Sequence, residues 1–251
     1  MGRLHEVSGT RISERLNDTV SWIDSTGVVM NQRVGPSCAG AALHLAQRSR
    51  TANRYRFQRN YQGHYWCAGT GGHVWYESMT EYSSLMLLDH TKRLIAVASQ
   101  PAALFFADGS THYPDFFALH ESGDRVMYDV RPAELIDDKA AVQFAKTADL
   151  CERIGWGYEL LHGAGGIQRY NLEWITAYRH PWNRPDDVER VRLCAFLDQP
   201  RTLNDAARLL DFKCPARHIN LIYHLMWTRE LTYDENAPLG WSTRLRRNQN
   251  E

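Results

Sequence analysis

Short apolar runs separated by Gly, Asn and Arg fill the first seventy residues, which predicts strands and loops around one helical piece near residues 41–48. From residue 77 to residue 89 the chain reads ESMTEYSSLMLLD, and its apolar side chains recur every three to four positions. This spacing is typical of an amphipathic helix. Glu81 falls within the first turns of this predicted helix.

Four apolar runs follow this helix, and Asp-Gly and Ser-Gly pairs between them are turn signals. The runs cover residues 94–99, 103–107, 114–119 and 126–130. Together they predict an antiparallel meander of four strands.

A second helix is predicted from the Asp-Asp pair at 137–138 to about residue 154, because aspartate can cap a helix and Gly155 can end it. Residues 156–161 then read as a strand, and residues 172–178 belong to another helix. The order of helix, antiparallel strands, helix and strand predicts an α+β core.

The segment PWNRP at residues 181–185 interrupts the pattern, and the chain after it is mostly helical. We therefore expect two domains, residues 1–183 and residues 184–251.

Three helices and a hairpin are predicted in the second domain. The first helix covers about 187–197, the second opens with a capping box at 202–205, and the third begins at Pro215. Two short strands are expected at 231–233 and 239–242. A winged helix-turn-helix is the natural assembly of these pieces.

The charge balance argues against a strong overall attraction to nucleic acid. The 251 residues contain 29 Lys and Arg and 29 Asp and Glu, so DNA affinity must come from local patches or from partners. No apolar stretch approaches the roughly 20 residues that span a bilayer, and the amino terminus has no hydrophobic signal region. We expect a soluble cytoplasmic protein, associated with the nucleoid, and no membrane partner.

The five cysteines are scattered and odd in number, which argues against a disulfide framework and for a reducing compartment. His64, Cys67 and His73 are close enough in sequence to hold zinc, but no paired CxxC accompanies them. A structural role for these three residues is the more ordinary interpretation.

Two aspartates carry the most informative chemistry. Asp115 opens one predicted strand, and Asp129 lies near the end of the next. If the two strands pair around the Ser-Gly turn at 122–123, both carboxylates come to one end of the sheet. Hydrolysis of a phosphodiester needs hard oxygen ligands for Mg²⁺, and strand and helix carboxylates supply them. The alternative is a surface turn with an exposed ion pair.

Pro114-Asp115, a hairpin and then Asp129-Val130-Arg131 together resemble the PD-(D/E)xK nuclease signature. The departure is Arg131, which occupies the position of the usual lysine. Arginine stays protonated and cannot act as a general base, but it can orient water and stabilise developing charge.

A wider match resembles the TnsA-type endonucleases of heteromeric transposases. The segments SMTE, QP, DFF and VRPA occur in the family's order at residues 78–81, 100–101, 115–117 and 130–133. The resemblance covers about residues 75–180. It implies a restriction-endonuclease-like core, a mixed sheet flanked by helices, and a carboxy-terminal winged-helix domain.

The same resemblance implies the site residues. It makes Glu81, Asp115, Asp129 and the backbone carbonyl of Val130 the ligands of Mg²⁺, with Mn²⁺ as a substitute. Arg131 takes the lysine role, so Glu81, Asp115, Asp129 and Arg131 are the expected catalytic residues. Glu77 competes with Glu81, because it would lie one helical turn earlier on nearly the same face. The family has glutamine at the position of Asp129, so we hypothesise that the extra carboxylate strengthens metal binding.

Several polar and basic groups are candidates for DNA contact, either through the resemblance or through their position in the third helix of the second domain. They are Gln100, Arg217, Asn220, His224 and Arg229. A solvated face or a protein interface explains the helical group equally well. The segment HGAGG at 162–166 lacks the lysine and hydroxyl of a P-loop, which favours a flexible connection.

The implied function is cleavage of the 5′ ends of double-stranded DNA at transposon termini. The implied partners are a DDE-type transposase subunit (TnsB-like) and an AAA+ ATPase regulator (TnsC-like). Two alternatives stay open: a stand-alone restriction or repair nuclease, and a non-catalytic DNA-binding or assembly subunit that retains the nuclease fold.

Overall fold

The computed structural model describes residues 18–50 and 61–249. Its strands are β1 (Thr19–Ile23), β2 (Val29–Arg33), β3 (Gly63–Cys67), β4 (Gly72–Tyr76), β5 (Leu94–Ser99), β6 (Ala103–Phe105), β7 (Thr111–His112), β8 (Phe116–His120), β9 (Arg125–Val130), β10 (Gly157–Leu161), β11 (Arg201–Thr202), β12 (Leu231–Thr232) and β13 (Arg244–Arg247). Its α-helices are α1 (Met79–Thr91), α2 (Asp138–Ile154), α3 (Gly166–Thr176), α4 (Asp187–Phe196), α5 (Leu203–Leu210) and α6 (Ile219–Trp227). The expected α+β class is confirmed.

The central sheet has the strand order β10-β9-β8-β5, in which β5, β8 and β9 are antiparallel neighbours and β10 is parallel to β9. The crossover from β9 to β10 contains α2. Successive side chains of a strand point to opposite faces, so Phe116 joins the apolar cluster that contains Leu85 of α1. Phe117 joins the cluster that contains Leu150 of α2. The sheet is therefore buried between α1 and α2.

A second sheet, of order β2-β1-β6-β7, uses the amino-terminal strands. The expectation of a four-stranded meander is wrong at 103–107, because β6 leaves the meander and pairs with β1. Gln100 has a left-handed backbone, with φ of 46°, and Pro101 cannot donate a ladder hydrogen bond. These two residues end β5 and turn the chain toward the second sheet.

Local capping sets the ends of the two helices that flank the central sheet. The Ser78 hydroxyl accepts a hydrogen bond from the Glu81 amide at the start of α1, and Asp137 does the same for Ala140 at the start of α2. Gly155 ends α2 in the left-handed conformation, with φ of 90°. The predicted bounds of α2 are confirmed.

The last part of the chain contains α4, α5 and α6 and a three-stranded sheet of order β11-β13-β12. The capping box of Thr202 and Asp205 is confirmed, with reciprocal hydrogen bonds of 3.1 and 3.2 Å. The third helix begins later than expected, since Pro215–His218 forms a 3-10 turn. The second predicted wing strand is displaced to β13.

One apolar cluster joins both parts of the chain, because Leu85, Leu193 and Ile222 all belong to it. The division at residue 183 stays a prediction. Among the described residues, no helix has the length and apolar character needed to cross a membrane.

Candidate functional site

Glu81 lies at the amino-terminal end of α1 and is buried, with 8% of its surface exposed. Its Oε1 accepts a hydrogen bond of 2.9 Å from the Ser78 hydroxyl, and its Oε2 accepts one of 2.8 Å from the Glu77 backbone amide. Burial raises the pKa of Glu81, and these two hydrogen bonds oppose that rise.

Glu77 is placed differently from the expectation. Helix α1 begins at Met79, so Glu77 precedes the helix instead of lying on the same face as Glu81. Its carboxylate pairs with the Arg50 guanidinium at 2.8 Å. Glu77 therefore already has a cationic partner.

Asp115 lies directly before β8 and is held by both neighbouring strands. Its amide donates to the Tyr128 carbonyl at 3.1 Å, and its carbonyl accepts from the Gln100 amide at 2.7 Å. Its Oδ2 accepts a hydrogen bond of 2.7 Å from the Val130 amide. The carboxylate of Asp115 is thus fixed at the end of the central sheet.

The pKa of Asp115 is raised well above its usual range. Burial is the main cause, followed by the negative charges of Glu81 and then Asp129; the Val130 amide opposes the rise. The two predicted strand carboxylates and the predicted helix carboxylate therefore belong to one electrostatic cluster. Arg50 lowers the pKa of both Glu81 and Asp115, so it is a cation that acts on this cluster.

Asp129 is almost fully buried, with 1% of its surface exposed, and its carboxylate is engaged by other side chains. The His112 Nε2 lies 2.8 and 2.9 Å from its two oxygens, and the Tyr158 hydroxyl donates to Oδ2 at 2.8 Å. Gln143 contacts the other ring nitrogen of His112. The interactions between protein side chains leave Asp129 less available to a metal ion than Asp115.

Sequence reasoning missed His112 and Tyr158, since neither belongs to a recognisable motif. His112 comes from β7 in the second sheet, and Tyr158 comes from β10, an edge strand of the central sheet. Only the three-dimensional pairing of these strands brings them to Asp129. Arg50 was also missed, because the amino-terminal region carries no matching motif.

Arg131 is exposed and turned toward the following 3-10 turn, where its Nε donates to the Leu135 carbonyl at 3.1 Å. Its own carbonyl lies 2.8 Å from the His162 Nδ1. The carbonyl of Val130 belongs to the last residue of β9.

Within residues 18–50 and 61–249, no three or more His, Cys, Asp or Glu side chains are arranged as a ready-made metal site. For His64, Cys67 and His73, zinc is further disfavoured because burial and the nearby Asp89 raise the pKa of the Cys67 thiol to about 12. The carboxylate cluster is a different case. Glu81 and Asp115 are crowded like charges with hard oxygen donors, and a divalent cation would relieve their repulsion.

The residues expected to contact DNA have unequal access to solvent. His224 is buried, with its Nδ1 2.8 Å from the Tyr178 carbonyl, and Asn220 donates to the Asn183 side chain at 3.2 Å. Their part of α6 therefore packs against residues 178–183 and does not face outward as expected. Arg217 is exposed and pairs with Asp211 at 3.0 Å, and Arg229 lines a cleft.

Gln100 is also inaccessible, with 1% of its surface exposed, and neither polar atom of its side chain has a partner in the described part of the chain. It therefore presents no DNA-reading group at the surface.

The segment at 162–166 packs onto α1, in contrast to the flexible connection that was expected. The Ala164 amide donates to the Ser83 hydroxyl at 3.3 Å. Gly163 has φ of 77°, and a Cβ added there would lie 2.7 Å from the same hydroxyl. Glycine is required at this close approach.

No protein-family model matches the chain, and no curated protein sequence matches it. What the site can do chemically follows from its own residues. A helix carboxylate and a strand carboxylate share one electrostatic cluster, with a guanidinium acting on both. This combination suits the binding of a hard cation next to an anionic group such as a phosphate.

Proposed function

We propose that the protein is a Mg²⁺-dependent DNA endonuclease subunit of the TnsA-like kind, which cleaves the 5′ ends at transposon termini. The observation that carries the proposal is the order of elements around the carboxylates. Helix α1 is followed by β5, β8 and β9 as an antiparallel unit, then by α2 and the parallel strand β10. This order fits a restriction-endonuclease-like core, and Asp115 and Asp129 lie at the β8 start and β9 end.

The crowding of charge supports a cation at this position. Burial raises the pKa of Asp115, and the negative charges of Glu81 and Asp129 raise it further. Holding these carboxylates together without a bound cation costs free energy, so their arrangement is typical of a functional site. Glu81, Asp115 and the carbonyl of Val130 would hold Mg²⁺ or Mn²⁺. The bound metal would supply Lewis acidity and an activated water for phosphodiester hydrolysis.

The chain's own residues have distinct roles in this proposal. The Val130 amide orients Asp115, and His112 with the Tyr158 hydroxyl orients Asp129. Arg50 lowers the pKa of both Glu81 and Asp115. We therefore assign to Arg50 the stabilisation of negative charge, which the resemblance assigns to Arg131 at the position of the usual lysine. A guanidinium cannot accept a proton, so neither arginine is a general base.

The carboxy-terminal helices and three-stranded sheet support a winged-helix domain. Because Asn220 and His224 are used in packing, DNA contact by this domain would fall to Arg217 and Arg229. The equal numbers of acidic and basic residues fit a subunit positioned on DNA by partners, here a DDE-type transposase and an AAA+ ATPase.

Calorimetric titration with Mn²⁺ tests the metal site on the protein alone. We expect binding by the wild type and a loss of at least tenfold in affinity for Glu81→Gln and Asp115→Asn, with Glu134→Gln, an exposed carboxylate, as the unchanged control. Asp129→Asn measures the hypothesised contribution of the extra carboxylate. Equal affinity of wild type and Asp129→Asn would reject that contribution and leave Asp129 a positioning residue.

Cleavage of plain duplex separates this proposal from the stand-alone nuclease. A TnsA-like subunit should be nearly inactive on plain duplex without its transposase, whereas a stand-alone restriction or repair enzyme cuts it unaided. Rapid cleavage of plain duplex by the isolated protein would therefore contradict the transposase assignment and preserve the nuclease chemistry.

Two observations favour a second candidate, a non-catalytic assembly subunit with a nuclease fold. Arg131 is directed to the Leu135 carbonyl, and the Asp129 carboxylate is occupied by His112 and Tyr158. Absence of Mn²⁺ binding by the wild type would favour this candidate over the nuclease.

A further inference from the structure

Three aromatic rings form a continuous stack that ends at the protein surface. The ring centroids of Trp66 and His180 are 4.2 Å apart, and those of His180 and Trp182 are also 4.2 Å apart, with only 6° between the latter planes. Trp182 is 75% exposed, so the face opposite His180 is open to solvent. Such a face is a platform on which another flat ring can stack.

Arg179 holds the Trp66 end of the stack in place. The Arg179 Nε donates to the Trp66 carbonyl at 2.9 Å, and its guanidinium lies 5.5 Å from the Trp66 ring centroid and 5.0 Å from that of Tyr65. Burial and the Arg179 charge lower the pKa of His180, so the middle ring is a neutral imidazole at neutral pH. The platform is therefore preorganised and aromatic throughout.

Arg179 also lines a cleft of about 570 Å³ between the end of α1 and the carboxy-terminal part of the chain. Five cationic side chains line it: Lys92, Arg93, Arg179, Arg190 and Arg229. Three carboxylates line it as well: Asp89, Glu121 and Glu230. The cations are in excess by two, so the cleft attracts anions although the whole chain is neutral.

Ion pairs and hydrogen bonds engage the carboxylates that line the cleft. Asp89 is buried, and its oxygens accept hydrogen bonds from the Tyr65 hydroxyl and from the Ala68 and Gly69 amides, at 2.7 to 2.8 Å. Glu230 pairs with Arg190 at 2.5 Å, and Glu121 pairs with Arg93 at 3.8 Å. Lys92 pairs at 3.1 Å with Glu159, which lies outside the cleft lining. Arg179 remains as a cation that contacts backbone carbonyls and rings, and it joins the cleft to the aromatic stack.

We propose that the cleft and the stack together bind an unpaired DNA strand, with the sugar-phosphate backbone in the cleft and a base on Trp182. A cationic groove beside stacked aromatic rings is the combination by which proteins hold single strands. A base pair in the interior of a duplex has both faces covered by its neighbours and only the two terminal pairs have an open face, so the open face of Trp182 favours an unpaired base. The pairing of a phosphate-attracting cleft with a ring platform favours a nucleic acid over a protein partner.

This surface is separate from the carboxylate cluster. Glu81 is in the first turn of α1, and Lys92 follows its last turn, so about 16 Å of helix separates the two positions. The inference does not rest on the proposed nuclease function, because strand binding here needs no metal ion.

Fluorescence anisotropy of a labelled oligothymidylate of about 15 nucleotides, in the presence of EDTA, tests the proposal. Trp182→Ala should weaken binding roughly 5- to 150-fold, the loss that corresponds to one stacked base. Trp174→Ala is the matched control, since Trp174 is 56% exposed on α3 and lines neither the cleft nor the stack.

A second pair of variants tests the cleft. Lys92→Gln should weaken binding and reduce its salt dependence, because Lys92 lines the cleft. Lys146→Gln should not, because Lys146 is on α2 outside the cleft; both lysines are ion-paired, so the two variants differ only in position. Circular dichroism spectra identical to that of the wild type show that the variants are folded.

The proposal fails if the wild type does not bind the oligothymidylate, or if Trp182→Ala binds it as tightly as the wild type. It also fails if a blunt duplex of the same length binds equally well and with the same dependence on Trp182. Each of these three outcomes would leave the nuclease proposal intact, since that is tested by metal binding and cleavage. In the first two the exposed ring would be better assigned to a protein contact, and in the third to a contact with duplex DNA.

Discussion

Substitution of Asp115 by asparagine should stabilise the protein when no divalent metal is present. Asparagine has nearly the same shape, and its side-chain oxygen can still accept the hydrogen bond that the Val130 amide gives to Oδ2. The substitution removes the negative charge of Asp115, which the negative charges of Glu81 and Asp129 repel. If Asp115 serves the proposed metal site and not folding, its carboxylate should destabilise the metal-free protein.

The size of the effect follows from the charges in the cluster. Two like unit charges separated by roughly 5–10 Å repel each other by about 2–3 kcal/mol near a protein surface, and salt reduces this. We expect Asp115→Asn to raise the free energy of unfolding by about 1–3 kcal/mol at neutral pH. For a chain of this size each kcal/mol shifts the melting temperature by about 2–4 °C.

The effect has a defined pH dependence. The pKa of Asp115 is higher in the folded than in the unfolded state, so the folded state binds more protons between the two values. The stability of the wild type therefore falls as pH rises from the unfolded pKa toward the raised folded pKa. Below the unfolded pKa of about 4, Asp115 is protonated in both states and the advantage of asparagine disappears.

Thermal unfolding followed by circular dichroism, in EDTA at about pH 4 and pH 8, measures this difference. The control is Asp124→Asn, which changes an exposed carboxylate in the turn before β9. Added Mn²⁺ should raise the melting temperature of the wild type by more than that of Asp115→Asn. The reasoning is refuted if Asp115→Asn is no more stable than the wild type at pH 8 without metal.

Three further substitutions, measured by urea unfolding, test the structural parts of the account. Leu150→Ala should cost about 2–5 kcal/mol because this side chain is fully buried between α2 and the sheets; a cost below about 1 kcal/mol would contradict the packing. Asp137→Ala should cost about 1 kcal/mol, since it removes the 2.8 Å hydrogen bond to the Ala140 amide, and no change would mean that α2 needs no cap. Gly163→Ala should cost more than about 1 kcal/mol because of its left-handed backbone and the close Ser83 hydroxyl; a stable variant would show that this loop moves freely.

The helices were predictable where local chemistry determines their ends. Helix α2 begins after Asp137 and ends before Gly155, as the sequence indicates, because a capping side chain and a left-handed glycine act within a few residues of each other. The capping box at Thr202 was recognisable for the same reason.

The errors concern interactions between residues far apart in the chain. The run at 103–107 has the pattern of a meander strand, but its partner is β1, some eighty residues earlier. The pattern of α6 identifies a helix and not its orientation, since buried residues cover most of its circumference. His224 therefore reads as a surface residue in the sequence and is buried in the structure.

The candidate site shows the same division. The spacing of Ser78 and Glu81 in the resemblance and the strand start at Asp115 singled out two carboxylates that the structure brings into one electrostatic cluster. His112, Tyr158 and Arg50 were not predictable, because they reach the cluster from three other elements of the fold. His112 and Tyr158 hold the Asp129 carboxylate, and Arg50 lowers the pKa of Glu81 and Asp115.

Strand-specific cleavage of a transposon-end duplex tests whether the carboxylate cluster of Glu81 and Asp115 is a nuclease centre. The assay contains Mg²⁺ or Mn²⁺, the candidate transposase and ATPase, and either the wild type or Asp115→Asn, with the two 5′ ends labelled separately. We expect 5′-end cuts with the wild type and none with Asp115→Asn, while the transposase still cuts the 3′ ends in both reactions. Equal 5′-end cleavage by wild type and Asp115→Asn would contradict the assignment of this site as the nuclease centre.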